Sequence, residues 1–385
     1  LGKRLFRRGQ RCQWRESTGG GYTYTHERDP TSTFRDRTRP RPTQRRDPVG
    51  GGIQRRPDPR IPRSRDGLVL KSVVCTAIGE PVEVRTSPDP IPGPSEVLVR
   101  VTACGLNYVD ALMCAGGYQI KPELPFTPGS ELAGTVAAVG EDVDDLKSGD
   151  RVLTRGGFVS VVARPRSSIY PIPNTLTEGQ AATLWQSYST MLYAYTRADL
   201  SEGETVLVLG ASGGIGKAAI DLAHSRGARV IAAASSDDRL QTCGEVFGRI
   251  NYDVEDVKVR ARELTEGKGV NVVVDPVGGD RADAALRSLD YLGRYLVVGF
   301  AAGSIPRLPI NQILLRNRNV LGIDWGAWSG SHSDEQEANL RTLLNMAERG
   351  SIAPPEPRTY AFEEAQTALD DLMNRRVIGK AVLKP

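Results

Sequence analysis

The stretch "ETVLVLGASGGIGKAAIDLAHSRG", residues 204–227, constrains this chain more than any other. An apolar run stops at Gly210, a glycine-rich turn follows, and apolar residues then recur at helical spacing from about Ile215. Strand, tight turn and helix in that order open a parallel βαβ unit and form a phosphate-binding corner. Aligned to G-x-G-x-x-G, the turn reads Ala211-Ser212-Gly213-Gly214-Ile215-Gly216, so alanine replaces the first glycine and Gly210 stands just before it. Gly213 lets the backbone approach a pyrophosphate, and Gly216 lets helix and strand pack closely. The helix N-terminus supplies free N–H groups and partial positive charge. A dinucleotide is the expected ligand.

The next strand, in "RVIAAASSDDRL", selects which dinucleotide. A site for NAD usually ends this strand with Asp or Glu, which accepts from the ribose 2′-OH. Here the position is Ala234, followed by Ser235 and Ser236. Asp237 and Asp238 come later, where a helix N-terminus favours them. Loss of the acid removes repulsion against a 2′-phosphate, and Arg239 with the serine hydroxyls suits that group, which favours NADPH. The competing reading of Arg239 is a solvated charge on a helix.

Around this motif, short apolar strands alternate with amphipathic helices from "TVLVLG" to "NVLGIDWG", the pattern of a parallel sheet covered on both faces. Upstream, from Val69 to about Ile172, β-rich runs such as "EVLVRVTAC" and "ELAGTVAAVG" are separated by Pro, Gly and Asp. "TEGQAATLWQSYSTMLYAYTRA" between them predicts a long helix capped by Thr177, and the chain after Ser329 predicts two helices and a last strand, "KAVLKP". The fold class is therefore α/β.

Charge divides the chain. Residues 1–66 hold 18 Lys+Arg against 7 Asp+Glu, a net of +11, and the rest holds 32 against 39, a net of −7. The mildly acidic body is a poor nucleic-acid surface, so nucleic acid is expected only through the Arg-rich tail. That tail lacks apolar periodicity and reads as disordered. Its role stays open between an extension irrelevant to activity, a binding tail and a targeting segment. No run of residues is apolar enough to span a membrane, and no apolar segment marks a secretory signal. Five scattered cysteines make no disulfide framework, so a reducing, cytoplasmic compartment is expected.

With "GLNYVD", "PFTPGSELAG", "SGDRV", "GASGGIG", "INYD", "VVVDPVGGD", "GRYLVVGF" and "GKAVL" in view, the chain resembles the medium-chain dehydrogenase/reductase superfamily from about Leu70 to Pro385. Within it, the zinc-less NADPH:quinone oxidoreductase group is most similar. The resemblance implies a GroES-like catalytic domain over residues 67–190, completed by 327–385, and a Rossmann NADPH-binding domain over 191–326. A homodimer through the sheet edge near "NVLGID" is also implied.

Zinc-dependent relatives take ligands from "GVC" and "GHE"; here Asn107 and Ser130 hold those places, and both are poor zinc ligands. Cys104 and Cys114 fit no zinc spacing and read as small buried residues, so no metal is expected. By resemblance, Asn107 and Tyr118 are the polar groups at the nicotinamide end of the cleft, and Asp110 matches the family's "N-x-x-D". Asp110 is alternatively a helix-capping group, and Tyr118 a packing residue. Thr190 aligns with a threonine near the nicotinamide ribose, Tyr252 and Arg375 with residues at the 2′-phosphate, and Gly299 and Phe300 with nicotinamide contacts. One departure is Arg249 in "FGRINY", where relatives read "GAD". Trp325 and Trp328 are either an acceptor wall or packing at the interdomain joint.

The expected activity is metal-free hydride transfer from NADPH to a quinone or an activated α,β-unsaturated carbonyl. The alternatives are an enoyl-thioester reductase, or a low-turnover NADPH- or RNA-binding protein on the same fold.

Overall fold

The computed structural model describes residues 69–385, together with two short strands, Arg15–Glu16 and Tyr22–Thr23, that pair antiparallel. The expectation of disorder for the remainder of residues 1–66 lies outside the described residues. Two sheets organise the body. The first runs in the order Arg358–Ala361, Ala381–Lys384, Glu96–Leu106, Glu131–Val139, Arg151–Thr154 and Tyr170–Pro171, with Val161–Pro165 also pairing with Glu96–Leu106. Its neighbours are antiparallel apart from the first pair. A hairpin of Val69–Val74 and Glu83–Pro88 lies outside this sheet.

The second sheet is wholly parallel, in the order Gly248–Asn251, Arg229–Ala234, Thr205–Leu209, Val270–Asp275, Leu289–Val297 and Asn319–Gly322. Numbered along the chain this is 3-2-1-4-5-6, the doubly wound order whose ligand crevice opens between its first and fourth strands. Thr205–Leu209 is buried along its whole length. Val206 and Val208 pack into one apolar cluster, whereas Leu207 and Leu209 pack into another across the sheet. Covering on both faces is why the strand reads as a continuous apolar run.

The long helix expected from "TEGQAATLWQSYSTMLYAYTRA" is two helices, Glu178–Ala181 and Leu184–Arg197. Thr177 caps the first, its hydroxyl accepting from the Gln180 N–H at 3.1 Å. The break at Ala182 and Thr183 has a cause in the tertiary structure. The second helix has no cap from Thr183; the Gln186 N–H donates instead to Glu131 Oε2 at 2.9 Å, from the neighbouring sheet. Leu184–Arg197 packs against both Gly214–Ser225 and Ser333–Glu348, and it runs across the division placed at residues 190 and 191. Beyond residue 327, the strands Arg358–Ala361 and Ala381–Lys384 join the first sheet. The sequence patterns missed the first of these strands because "RTYA" is four residues long with one buried side chain.

Candidate functional site

The glycine-rich turn leaves the first parallel strand at its carboxyl end. Gly210 takes a φ of +58°, so it supplies the left-handed bend the missing first glycine would have given. Ala211 is fully buried, and its N–H donates to the Ala233 carbonyl at 3.0 Å. Helix Gly214–Ser225 begins after Gly213, an N-cap with no side chain to satisfy the first-turn amides. A Cβ on Gly213 would meet nothing nearer than the Gly210 carbonyl oxygen at 3.4 Å, so the space above it is open. Those uncapped N–H groups and that opening fit a pyrophosphate. Ile215 is half-buried and packs on the core.

The 2′-phosphate candidates gather on one side of the turn. Arg239 Nη1 donates to Ser212 Oγ at 3.3 Å, and Nη2 donates to the Arg375 carbonyl. Ser236 caps helix Asp237–Gln241, accepting from the Arg239 N–H at 3.3 Å, and Ser235 precedes it at the strand end. Asp237 is engaged by the Asn251 amide, 3.0 Å away. Arg375 also donates to the Ala301 carbonyl at 3.0 Å, which ties this corner to the loop after Gly299 and Phe300. Tyr252 is half-buried with the Arg281 guanidinium 4.4 Å from its ring centroid. Burial raises its phenol pKa, against the opposing effect of Arg281, Arg375 and Arg239. Arg249, the departure from relatives, turns back on its own loop and donates to the Gly244 carbonyl at 2.6 Å.

On the other side stands a buried ionic network. Lys380 Nζ donates to Asn107 Oδ1 at 2.5 Å and to Glu131 Oε1 at 3.0 Å. Asn107 Nδ2 donates to the same Glu131 oxygen at 2.8 Å. Asn107 and Lys380 are each 7% exposed, and Glu131 is 0% exposed. The amide orientation is forced: Lys380 can only donate, and the Glu131 carboxylate can only accept. Asn107 Nδ2 carries two N–H groups, and one is used by Glu131. The network abuts the turn, since a Cβ on Gly214 would fall 2.6 Å from Lys380 Cδ and 3.4 Å from Ser187 Oγ. The Gly379 N–H also donates to the Ser212 carbonyl at 2.7 Å.

Asp110 lies beneath Asn107 on helix Tyr108–Cys114, and its Oδ2 accepts from the Asn107 backbone N–H at 2.8 Å. Burial lifts its carboxyl to about 7, although the Asn107 N–H and Lys380 pull the other way. Thr190 is buried, and its hydroxyl donates to the Gln186 carbonyl at 2.7 Å. Tyr118 is half-buried; burial and then the nearby Asp324 carboxylate raise its pKa. Gly299 donates to the Asp275 carbonyl at 3.3 Å, and Phe300, exposed, lies beside Gly278, after the fifth and fourth parallel strands respectively. Trp325 donates to Gln336 Oε1 at 2.8 Å, and Trp328 stacks on Tyr193 with 4.4 Å between ring centroids. Both indoles are half-buried and contact residues of neighbouring helices.

Two family models match this chain: the alcohol dehydrogenase GroES-like domain over residues 93–174, and the zinc-binding dehydrogenase over residues 214–345. Quinone oxidoreductase-like protein 2 of Rattus norvegicus is 38% identical over 322 residues, covering 81% of this chain and 91% of that one. The chain belongs to the quinone oxidoreductase group of the medium-chain dehydrogenase/reductase superfamily. It is an oxidoreductase. A probable oxidoreductase from Mycobacterium abscessus superposes with a TM-score of 0.71 at 36% identity, covering 83% of this chain and 100% of that one. Escherichia coli quinone oxidoreductase, solved as its NADPH complex, gives a TM-score of 0.72 at 25% identity, covering 82% and 100%.

The zinc in the second family model's description does not fit the residues at this site. The positions of the usual ligands carry a carboxamide already bonded on both sides and the Ser130 hydroxyl, which donates to Gln186 Oε1 at 2.7 Å. The Lys380 ammonium stands among them, and a second cation there would be repelled. Burial raises the Cys104 and Cys114 thiols to about 12, so neither is a thiolate at neutral pH.

Lys380, Glu131 and Gln186 escaped the reading of the sequence. "GKAVL" and "PGSELAG" were visible as family patterns, but a Lys or Glu in a strand pattern signals nothing until its partner is known.

Proposed function

We propose that this oxidoreductase is a zinc-independent reductase that takes NADPH and reduces quinones or activated α,β-unsaturated carbonyls. The observation that carries the reading is the Lys380–Glu131–Asn107 network in the place of a metal centre. NADPH, when bound, supplies the hydride from its reduced nicotinamide ring. The first-turn N–H groups after Gly213 hold the pyrophosphate, and Arg239, Ser235, Ser236, Tyr252 and Arg375 hold the 2′-phosphate end. Thr190, Gly299 and Phe300 flank the nicotinamide. Asn107 directs its free N–H toward the acceptor oxygen as that oxygen gains charge. Lys380 and Glu131 are positioning residues that lock the amide orientation. Tyr118 is a second donor at the cleft, and Asp110 fixes the backbone of Asn107.

The test is steady-state NADPH oxidation with 1,4-benzoquinone, with and without a strong chelator. Equal rates are expected, and loss of activity with chelator overturns the reading. Arg239→Ala is expected to raise KM for NADPH by roughly 10–100-fold while leaving NADH little changed, the worth of one charge-assisted contact. An unchanged preference between the two coenzymes would assign the 2′-phosphate elsewhere.

The homodimer is proposed at the sheet edge. Asn319–Gly322 pairs on one side only, and Val320, Leu314, Leu315 and Ile310 are exposed close to it in the chain. An open apolar edge favours pairing with a second copy. Val320→Lys is expected to shift sedimentation from dimer to monomer; a dimer indifferent to that charge must use another surface. The buried, unpaired Cys75, Cys104, Cys114 and Cys243 suit a cytoplasmic location.

A further inference from the structure

A second charged cavity lies on the nucleotide-binding sheet, away from the crevice. Its walls are Lys258 and Arg262 from helix Val257–Leu264, Arg287 from the last turn of helix Arg281–Ser288, Gln312 from helix Asn311–Leu314, and Arg316 and Arg318. Arg262 and Arg287 lie in the last turns of their helices, and Arg316 and Arg318 just before strand Asn319–Gly322, so these four stand at the amino ends of the parallel strands. The glycine-rich turn stands at the carboxyl ends.

The cavity, open to solvent, has a volume of about 390 Å³, and every side chain lining it is polar. Among its five cations, Arg287 pairs with Asp283 at 2.7 Å; among the described residues the other four have no carboxylate at ion-pair distance. Arg318 is 5% exposed, and its Nη groups donate to the backbone carbonyls of Gln312, Arg287 and Leu289. The Nε atoms of Arg318 and Arg262 are buried without a hydrogen-bond partner. Burial, followed by Arg316, Arg262 and Arg287, pushes the Arg318 pKa down; Asp290 opposes them. Four uncompensated cations held this close repel one another unless an anion enters.

We propose that this cavity binds a compact oligophosphate anion at a site distinct from the coenzyme crevice. Guanidinium forks match phosphate oxygens two at a time, and the Nε donors of Arg318 and Arg262 have no partner within the protein. Each phosphoryl group carries about −1.5 to −2 at neutral pH, so two of them balance four free cations. The volume lies within the roughly 300–1,000 Å³ of small-ligand sites. Without an apolar or aromatic wall, nothing holds a base or ring, so recognition is by charge.

The experiment is calorimetric titration of the full chain, saturated with NADPH to block the coenzyme site, with inorganic pyrophosphate as the probe. One pyrophosphate per chain is expected, weakening as salt rises. Arg262→Gln and Arg316→Gln should each weaken it at least tenfold without altering NADPH oxidation. Adenosine diphosphate should bind within a few-fold of pyrophosphate, since the site reads the phosphates alone. The proposal fails if millimolar pyrophosphate does not bind, as when a carboxylate from a second copy fills the cavity. It also fails if both variants bind like the parent, if adenosine diphosphate binds tenfold tighter, or if single-stranded RNA binds and pyrophosphate does not displace it.

Discussion

Lys380→Met is expected to lower folding stability by about 3–5 kcal/mol, and Glu131→Gln added to the same chain is expected to recover most of that loss. Removing the ammonium strands a carboxylate that has no exposure to water. Its remaining donors, the Asn107 amide and the Gln186 N–H, are both neutral. A buried charge with its partner removed is far worse than a neutral pair of similar shape. Glutamine at position 131 keeps an oxygen for the Gln186 N–H and carries no charge. Denaturant unfolding of the two variants and their parent measures both effects. A single variant within about 1 kcal/mol of the parent, or a double variant no better than the single, would remove the case for a tightly paired network. Kinetics supply the second readout. A freed Asn107 amide should lower kcat more than it changes KM for NADPH, because Asn107 is assigned to the acceptor oxygen and not to the phosphates.

Asp110→Asn is expected to abolish a fall in stability that the parent shows as pH rises from about 4 to about 7. Unfolded, the Asp110 carboxyl loses its proton near its reference value of ~3.9. Folded, burial holds the proton up to about 7. Between those limits the unfolded chain binds fewer protons than the folded one, so stability declines with rising pH and levels off above the folded value. The full change from this residue is on the order of 4 kcal/mol. Asparagine keeps an oxygen for the Asn107 N–H and cannot ionise. Unfolding free energies at a series of pH values for both proteins give the difference directly. Parallel curves across pH 4 to 7 would show that Asp110 titrates like a solvated acid.

The sequence read without its fold was strongest where chemistry is local. A strand, turn and helix contiguous in the chain need no distant partner, so Gly210 to Gly216 could be placed from their order alone. The same holds for Asp237 and Asp238, placed by their order at the N-terminus of the helix that begins there. It was weaker where a residue's meaning depends on a neighbour far along the chain. The partners of Trp325 and Trp328, Gln336 and Tyr193, were not legible in the sequence. The helix expected to run on from Thr177 breaks because Glu131, from another sheet, takes over as the cap of its second half.

Apolar periodicity and the glycine-rich corner, both properties of consecutive residues, by themselves determined that this chain builds a doubly wound parallel sheet beside a β-rich domain. Only the tertiary structure decided what stands next to that corner. Ala381 pairs with Leu106 in an antiparallel register, so Lys380 falls opposite Asn107, 273 residues away in sequence. Strand register is fixed by which faces bury their side chains across the whole sheet, and a one-residue slip would turn Lys380 to the other face.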